Sequence, residues 1–267
     1  MQLDPSADAA GVGLVVLGTV GSTNSEARLR ARRGERGPLW IVATEQTQGR
    51  GRMDRAWISP QGNLYASLLL SDPSPFASAP ELAFVAALAL RDAIVAAAPR
   101  LGARLQFKWP NDLLLGGEKC AGILIEGETA PADGVSIVIG IGVNCVSHPP
   151  TGPERPATDL KAHGAAVTPH ELLRQLSAAM CRRLGQWDGG RNFAGIRADW
   201  LAHAGGIGAA LVVRNNGGDE RHGRFAGLDR SGRLILEFPD GGVEYVSAGD
   251  VFPLEQAGAQ RAAGRTG

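Results

Sequence analysis

Short runs rich in apolar and β-branched residues recur through the first half of the chain, separated by polar segments and often bounded by Gly or Pro. Runs of this length and composition are typical of β-strands. The pattern predicts strands at 12–17, 39–44, 64–70, 104–108, 121–126 and 135–143. Helical segments lie between several of them.

Three helix starts are marked by a hydroxyl residue followed three positions later by glutamate. In this capping box, each side chain bonds a backbone N–H group that the helix leaves unpaired. The predicted starts are Thr23 to Glu26, Ser78 to Glu81 and Thr168 to Glu171.

The most apolar stretch of the chain is 81–98, which Arg91 and Asp92 interrupt and which Pro80 and Pro99 bracket. A membrane-spanning helix needs about 20 predominantly apolar residues. The stretch therefore predicts a buried helix of a globular protein.

The order of strands and helices indicates the fold class. Helices and strands are interleaved without strict alternation, and Gly116-Gly117 offers a tight turn between the runs 104–108 and 121–126, which we expect to pair. We therefore predict an α+β fold, with a central mixed sheet flanked by helices, rather than a doubly wound sheet.

After about Gly205 the pattern changes to short strands with Gly-rich turns, at 211–214, 223–228, 233–238 and 243–247. We expect a small SH3-like β-barrel there. The predicted organisation is a catalytic domain at 1–205, the barrel domain at 206–255 and a disordered tail at 256–267.

Charge gives no indication of a nucleic-acid or membrane partner, because 27 Lys and Arg residues balance 27 Asp and Glu residues. The segment 208–255 is even acidic, with five arginines against eight acidic residues. We expect it to pack on the main domain or to contact a protein.

The cysteines and the N-terminal residues indicate in which cellular compartment we expect the protein. Cys120, Cys145 and Cys181 are far apart, odd in number and without CxxC spacing, which argues against disulfides and a zinc site. The start of the sequence shows no basic segment followed by an apolar run, as a signal peptide would. We expect a cytoplasmic protein with reduced, mostly buried thiols.

Three polar segments could carry chemistry. The first, Gly21-Ser-Thr-Asn24, stands at a predicted helix start. Its simplest interpretation is a helix cap, but a helix N-terminus also offers N–H groups and hydroxyls to a polar ligand.

The second segment follows a strand and places Arg50, Arg52 and Arg55 among glycines, between Glu45 and Trp57. Guanidinium groups on a flexible backbone suit a loop that closes over phosphate. A solvated basic loop or an RNA-contacting loop is the alternative.

The third segment is Lys108-Trp-Pro-Asn-Asp112, at a strand end, with Lys119 downstream. It could place a cation beside a reacting carboxylate and a Mg²⁺ ligand nearby. An ordinary Asn-Asp turn with a surface lysine is the alternative.

Together and in this order, these segments resemble the biotin–protein ligase family, also called the biotin–[acetyl-CoA-carboxylase] ligase family. The resemblance runs from about residue 14 to 253, and Lys-Trp-Pro-Asn-Asp with Gly-Arg-Gly-Arg is highly specific to it. The matching segments are 22–24, 46–57, 59–67, 108–113, 119–126 and 140–144.

The resemblance implies a reaction in which ATP and Mg²⁺ activate biotin as biotinyl-5'-AMP, followed by transfer to a lysine of a biotin carboxyl carrier protein. It implies that Lys108, Arg50 and Arg52 are catalytic and also contact biotin. The other implied biotin-site residues are Ser22, Thr23, Asn24, Gln46 and Gly51. The implied nucleotide-site residues are Trp57, Asn111, Asp112, Lys119 and Asn144, with Asp112 as the metal ligand.

This chain differs from members of the biotin–protein ligase family in two features. Its arginine loop usually reads Gly-Arg-Gly-Arg-x-Gly-Arg-x-Trp, whereas this chain has Asp54 at the second-half glycine. Some members carry an N-terminal helix-turn-helix domain, for which about a dozen residues before the first strand leave no room. We expect residues 47–56 to be mobile without ligand and ordered with it.

Two other functions are considered. A lipoate or octanoate ligase or transferase has a related architecture, but its Arg-Arg-x-x-Gly-Gly-Gly pattern is missing here. The other is a catalytically idle biotin-binding or RNA-binding module, which turnover of ATP to AMP with biotin would exclude.

Overall fold

The computed structural model describes residues 1–73, 76–129, 134–150, 152, 156–214 and 218–254. The tail expected at 256–267 lies outside these ranges. Within them the chain forms two β-sheets and five α-helices. The helices are α1 (Pro5–Ala9), α2 (Thr23–Arg32), α3 (Leu82–Ala97), α4 (Pro169–Trp187) and α5 (Phe193–Leu201).

The larger sheet has seven strands in the described part of the chain, ordered β1-β2-β3-β7-β6-β5-β4. β1 and β2 are parallel and the other neighbours are antiparallel, so the mixed sheet is confirmed. The strands are β1 (Gly13–Val20), β2 (Leu39–Gln46), β3 (Leu64–Ser71), β4 (Leu105–Lys108), β5 (Asp112–Leu115), β6 (Glu118–Thr129) and β7 (Val135–Val143).

The middle strands are mostly apolar because both faces of the sheet are covered. Successive side chains of a strand point to opposite faces. Leu68 and Leu70 of β3 belong to the main core with α3 and α4, whereas Leu69 packs in a second cluster against Ala27 and Ala31 of α2.

α3 corresponds to the predicted buried helix. It is buried on most sides, and Asp92 near its middle forms an ion pair with Arg183 of α4, with Nε and Oδ2 2.7 Å apart. No helix in the described ranges is long and apolar enough to cross a membrane.

The predicted pairing of 104–108 with 121–126 is wrong, because β5 lies between them and pairs with both β4 and β6. Gly116 and Gly117, with φ of 64° and 89°, form the turn from β5 to β6 instead. The sequence did not indicate β5 because its apolar part, Leu113–Leu115, is only three residues long.

Of the capping boxes, the one at Thr168 is confirmed for its hydroxyl, which accepts from the Glu171 N–H at 3.2 Å. The one at Ser78 is wrong. Residues 76–81 form a 3₁₀ turn that contains Pro80, and Glu81, at the N-cap of α3, makes no side-chain capping bond.

The second sheet is antiparallel, with five strands among the described residues in the order β11-β10-β9-β8-β12. This sheet confirms the small β module predicted after residue 205. The sequence did not predict β12, which is short and ends in proline. The strands are β8 (Ala210–Arg214), β9 (Glu220–Leu228), β10 (Leu234–Glu237), β11 (Val243–Val246) and β12 (Asp250–Pro253).

The two buried cysteines lie in the large sheet region. Burial raises the pKa of both Cys120 and Cys145 to about 12, so both thiols stay protonated at neutral pH. Cys181 on α4 is half-buried.

The turn between β9 and β10 packs the second sheet against the first. Trp109 donates its indole N–H to the carbonyl of Gly232 at 3.0 Å. Gly232 has φ of 80°, and a Cβ there would lie 2.7 Å from the Phe84 ring. Phe84 in turn contacts Phe193 and Trp200 edge to face.

We expect Gly232→Ala to destabilise the protein more than Gly241→Ala. Both glycines have positive φ, which costs alanine about 1–2 kcal/mol, but a Cβ at Gly241 meets nothing within 4 Å. Overpacking at Gly232 should add about 1–3 kcal/mol. Urea unfolding of both variants measures the difference, and equal midpoints would contradict the packing role of this turn.

Candidate active site

A cavity of about 650 Å³ lies between strands β4–β7 of the large sheet and the second sheet. Every residue to which the sequence analysis gave a binding or catalytic role lines it. These residues are Ser22, Thr23, Asn24, Gln46, Arg50, Gly51, Arg52, Trp57, Lys108, Asn111, Asp112, Lys119 and Asn144. The second sheet contributes residues that sequence reasoning did not assign, including Asp250 and Phe252.

The start of α2 forms one end of the cavity. Ser22 is the N-cap residue, so the predicted capping box of Thr23 and Glu26 is wrong. Instead, the backbone N–H of Thr23 donates to Oε1 of Gln46 at 2.8 Å, and the Thr23 hydroxyl contacts the same oxygen at 3.1 Å. Gln46, at the end of β2, therefore caps the helix from another segment.

Hydrogen bonds fix the amide of Gln46 in one orientation. Its Oε1 accepts from Thr23, and its Nε2 donates to the Ser59 hydroxyl at 3.0 Å. The Ser59 hydroxyl in turn donates a hydrogen bond to the carbonyl of Trp57 at 2.8 Å. The direction of each bond is set, so Gln46 cannot flip without losing both.

The amide of Asn24 is fixed in the same way. Its Oδ1 accepts from the buried Ser67 hydroxyl at 2.6 Å, and its Nδ2 donates to Glu126 at 2.7 Å. Gly140 of β7 lies beneath it, where a Cβ would stand 2.3 Å from Oδ1. The glycine is therefore required for the close approach of this amide to the sheet.

The arginines of the loop have different partners. Arg50 contacts Glu126 at 3.3 Å. Arg52, however, donates to two neutral oxygens within the described residues, Oδ1 of Asn111 and the carbonyl of Gly249, both at 3.3 Å. Burial lowers the pKa of Arg52, but the group remains charged at neutral pH. Asp250 and Asp112 lie close enough to favour its charge but form no ion pair with it in the described residues, so this half-buried cation can still bind an anionic ligand.

Arg55 ties the loop to the second sheet. Its guanidinium makes a two-pronged ion pair with Asp250 of β12, at 2.7 and 2.9 Å. Between Arg52 and Arg55 the backbone turns through Met53 and Asp54, whose φ values of 56° and 53° are left-handed. The loop thus has a tight turn at its tip and an anchor beside it.

Two lysines of strands β4 and β6 line the cavity. Lys108 ends β4, with its Nζ 5.3 Å from the centre of the Phe252 ring. Lys119 forms an ion pair with Asp112, with Nζ and Oδ1 2.5 Å apart, and lies 5.3 Å from the Trp57 ring. Lys108 and the loop arginines therefore line one cavity, in agreement with the shared role that the sequence resemblance implies for them.

Trp57 lies flat against the sheet, where a Cβ at Gly142 would come within 2.6 Å of its indole. Its N–H is buried and has no hydrogen-bond acceptor among the described residues. Beside it, Asn144 donates its amide to the carbonyl of Thr158 at 3.0 Å, and Asn111 donates to that of Ile123 at 2.6 Å. The two asparagines thus hold chain segments as well as lining the cavity.

Comparisons with known proteins agree with this arrangement. Residues 22–144 match the model of the biotin/lipoate A/B protein ligase family, and residues 210–252 match that of the biotin protein ligase C-terminal domain. The chain is 41% identical over 243 residues to a biotin–[acetyl-CoA-carboxylase] ligase of Paracoccus denitrificans, covering 89% of this chain and 99% of that protein.

The chain belongs to the biotin–protein ligase family.

Solved structures of biotin–protein ligases share the fold. One from Aquifex aeolicus in complex with biotin and ATP has a TM-score of 0.76 at 24% identity, covering 90% of this chain and 99% of that one. One from Leishmania major in complex with biotinyl-5-AMP has a TM-score of 0.61 at 26% identity, covering 88% and 99%.

The residues that sequence reasoning did not assign fall into two classes. Ser59, Ser67 and Glu126 stand within segments that resemble the biotin–protein ligase family, so a signal for them was present. Asp250 and Phe252 had none, because a short strand of ordinary composition does not indicate what it faces. Only the packing of the two sheets brings them to the cavity.

The conformation of Asp54 explains why glycine is usual at this position of the family's loop. A left-handed φ is cheap for glycine and tolerable for aspartate, but costs alanine about 1–2 kcal/mol. Asp54 is therefore a residue that the turn can accept.

We expect Asp54→Ala to be less stable than Asp54→Gly by about 1 kcal/mol, because both remove the carboxylate but only glycine fits the backbone. Urea unfolding monitored by tryptophan fluorescence measures this difference. Identical midpoints for the two variants would show that the left-handed turn does not constrain this position.

Proposed function

We propose that this chain is a biotin–protein ligase: it activates biotin with ATP as biotinyl-5'-AMP and then transfers biotin to a lysine of a biotin carboxyl carrier protein. The family supports this proposal, as do the complexes of relatives with biotin and ATP and with biotinyl-5-AMP. The named relatives favour biotin over lipoate as the acid.

One observation carries the proposal: a single cavity is lined both by neutral polar side chains and by cationic side chains. Ser22, Thr23, Asn24 and Gln46 are polar and uncharged. They suit the ureido ring of biotin, which is neutral and carries both N–H donors and a carbonyl acceptor. The cations Arg52 and Lys108 suit the carboxylate and the phosphates of ATP.

In the first step, a carboxylate oxygen of biotin would attack the α-phosphorus of ATP, forming the mixed anhydride and releasing pyrophosphate. Two anions must meet for this attack, so fixed cations lower its barrier. Arg52 and Lys108 would supply that charge, and their positions on different segments let them act from different sides. Positioning and electrostatics provide most of the catalysis in such phosphoryl chemistry.

Mg²⁺ is expected to enter with ATP. The described residues contain no group of three or more His, Cys, Asp or Glu side chains that could hold a metal ion alone. Mg²⁺ bound to nucleotides is typically held by one or two carboxylates plus phosphates and water, so the single carboxylate of Asp112 fits. Asp112 would hold the ion with the ATP phosphates, and the ion would neutralise phosphate charge.

In the second step, the amine of a carrier lysine would attack the carbonyl of the anhydride, forming an amide and releasing AMP. The anhydride is already a good electrophile, so this step needs access and the exclusion of water more than a nucleophilic residue. We assign the exclusion of water to the loop 47–56.

We also propose a domain boundary near residue 205, with the second sheet completing the site. We further propose a cytoplasmic location, where ATP is available.

We expect the purified protein, incubated with biotin, MgATP and a biotin carboxyl carrier domain, to add biotin to one carrier lysine, as read by mass. Lys108→Ala should reduce biotin-dependent release of pyrophosphate by at least about 10²–10³-fold, because it removes a cation from the reacting centre. Its circular dichroism should match that of the wild type. Turnover with lipoate and not with biotin would overturn the proposal.

We expect biotin and MgATP together to protect the loop from trypsin, which cuts after Arg50, Arg52 and Arg55. Closure over the adenylate should order the loop and hide these bonds. Cleavage after Arg191, whose side chain is 78% exposed on the far segment between α4 and α5, serves as the internal control. Equal cleavage of the loop with and without ligands would contradict the closure.

A further inference from the structure

Glu126 on β6 contacts three side chains, of which two, Asn24 and Arg50, line the cavity. Its Oε2 accepts from Asn24 Nδ2 at 2.7 Å, and its Oε1 contacts Arg28 at 3.1 Å and Arg50 at 3.3 Å. Its side chain is only 19% exposed. One carboxylate thus joins helix α2, the arginine loop and the sheet.

The contact with Asn24 needs an acceptor on Glu126. The Ser67 hydroxyl donates to the oxygen of the Asn24 amide, so the amide nitrogen points at Glu126. A carboxylate accepts bonds on both oxygens, whereas a glutamine would turn a donor either toward the Asn24 amide or toward the arginines. Either arrangement places donors against donors.

Arg28 keeps this carboxylate in place. It bonds Glu126 through Nη1 and Glu128 through Nε, the latter at 2.7 Å. When Arg50 turns toward a bound anion, Glu126 therefore still has a cationic partner. A partly buried carboxylate without any partner would destabilise the folded protein. Because Arg28 stays paired with Glu126, the release of Arg50 costs less free energy.

We propose that Glu126 is a positioning residue for the acid substrate: it orients the Asn24 amide toward biotin and holds Arg50 beside the site until a ligand anion competes for it. This inference rests on the proposed function and deepens it. It assigns Glu126 to biotin rather than to ATP, because Glu126 bonds Asn24 and Arg50, which are proposed biotin-site residues, and its side-chain bonds in the described chain involve none of the proposed nucleotide-site residues.

Glu128 provides a matched control. It lies two residues further along β6, faces the same helix and bonds Arg28 and Arg32, but none of its ion pairs in the described chain involves a residue of the cavity. Glu126→Gln and Glu128→Gln therefore remove the same charge from neighbouring positions, with and without the link to the site.

The experiment measures the Kd of biotin by calorimetry without ATP, and the KM values for biotin and ATP in pyrophosphate release. Glu126→Gln should raise the Kd and KM for biotin about tenfold, as expected for loss of a charge-assisted hydrogen bond. The KM for ATP should stay within about twofold. Glu128→Gln should leave all three values near those of the wild type.

Equal effects of the two variants, or a rise in the KM for ATP alone, would overturn the role of Glu126. If Glu126→Gln does not fold, Arg28→Gln tests the same link by removing the anchor; an unchanged Kd for biotin in that variant would also overturn it. Failure of the wild type to bind biotin would instead reject the proposed function.

Discussion

The site depends on keeping a positive charge available for an anion inside a folded protein. A buried cation is stable only when it is paired or hydrogen-bonded. Lys119 is paired with Asp112 and Arg55 with Asp250, so their charges are largely compensated within the chain. Arg52 donates through Nη1 to two neutral oxygens, and the carboxylates of Asp250 and Asp112 lie near it without forming an ion pair with it in the described residues. Such a group is oriented in advance and still attracts phosphate or carboxylate.

Glycines determine how closely the polar residues can approach the sheet. Gly140 and Gly142 stand at alternate positions of β7 and so face the same side. Asn24 rests on the first and Trp57 on the second, at distances that any Cβ would prevent. The lack of side chains at these two positions therefore lets Asn24 and Trp57 approach the sheet, which explains two glycines within a mostly apolar strand.

The sequence predicted well what depends on local pattern, and poorly what depends on packing. The apolar run of β3 and the cap at Thr168 are local, and both were found. The Thr23 capping box failed because Gln46, from a strand 23 residues away, takes the helix N–H instead. The resemblance supplied residue types along the cavity, but nothing in the sequence could indicate that β12 would bring Asp250 to the arginine loop.

The arginine loop depends on the second sheet for several of its contacts. Arg55 bonds Asp250 and Arg52 bonds the carbonyl of Gly249, so two loop residues find partners just before and at the start of β12. The sheet is itself held by Trp109, the residue directly after Lys108, through the carbonyl of Gly232. A displacement of the second sheet would therefore change the contacts of the arginine loop and of the strand end that carries Lys108. The two sheets thus act as one unit.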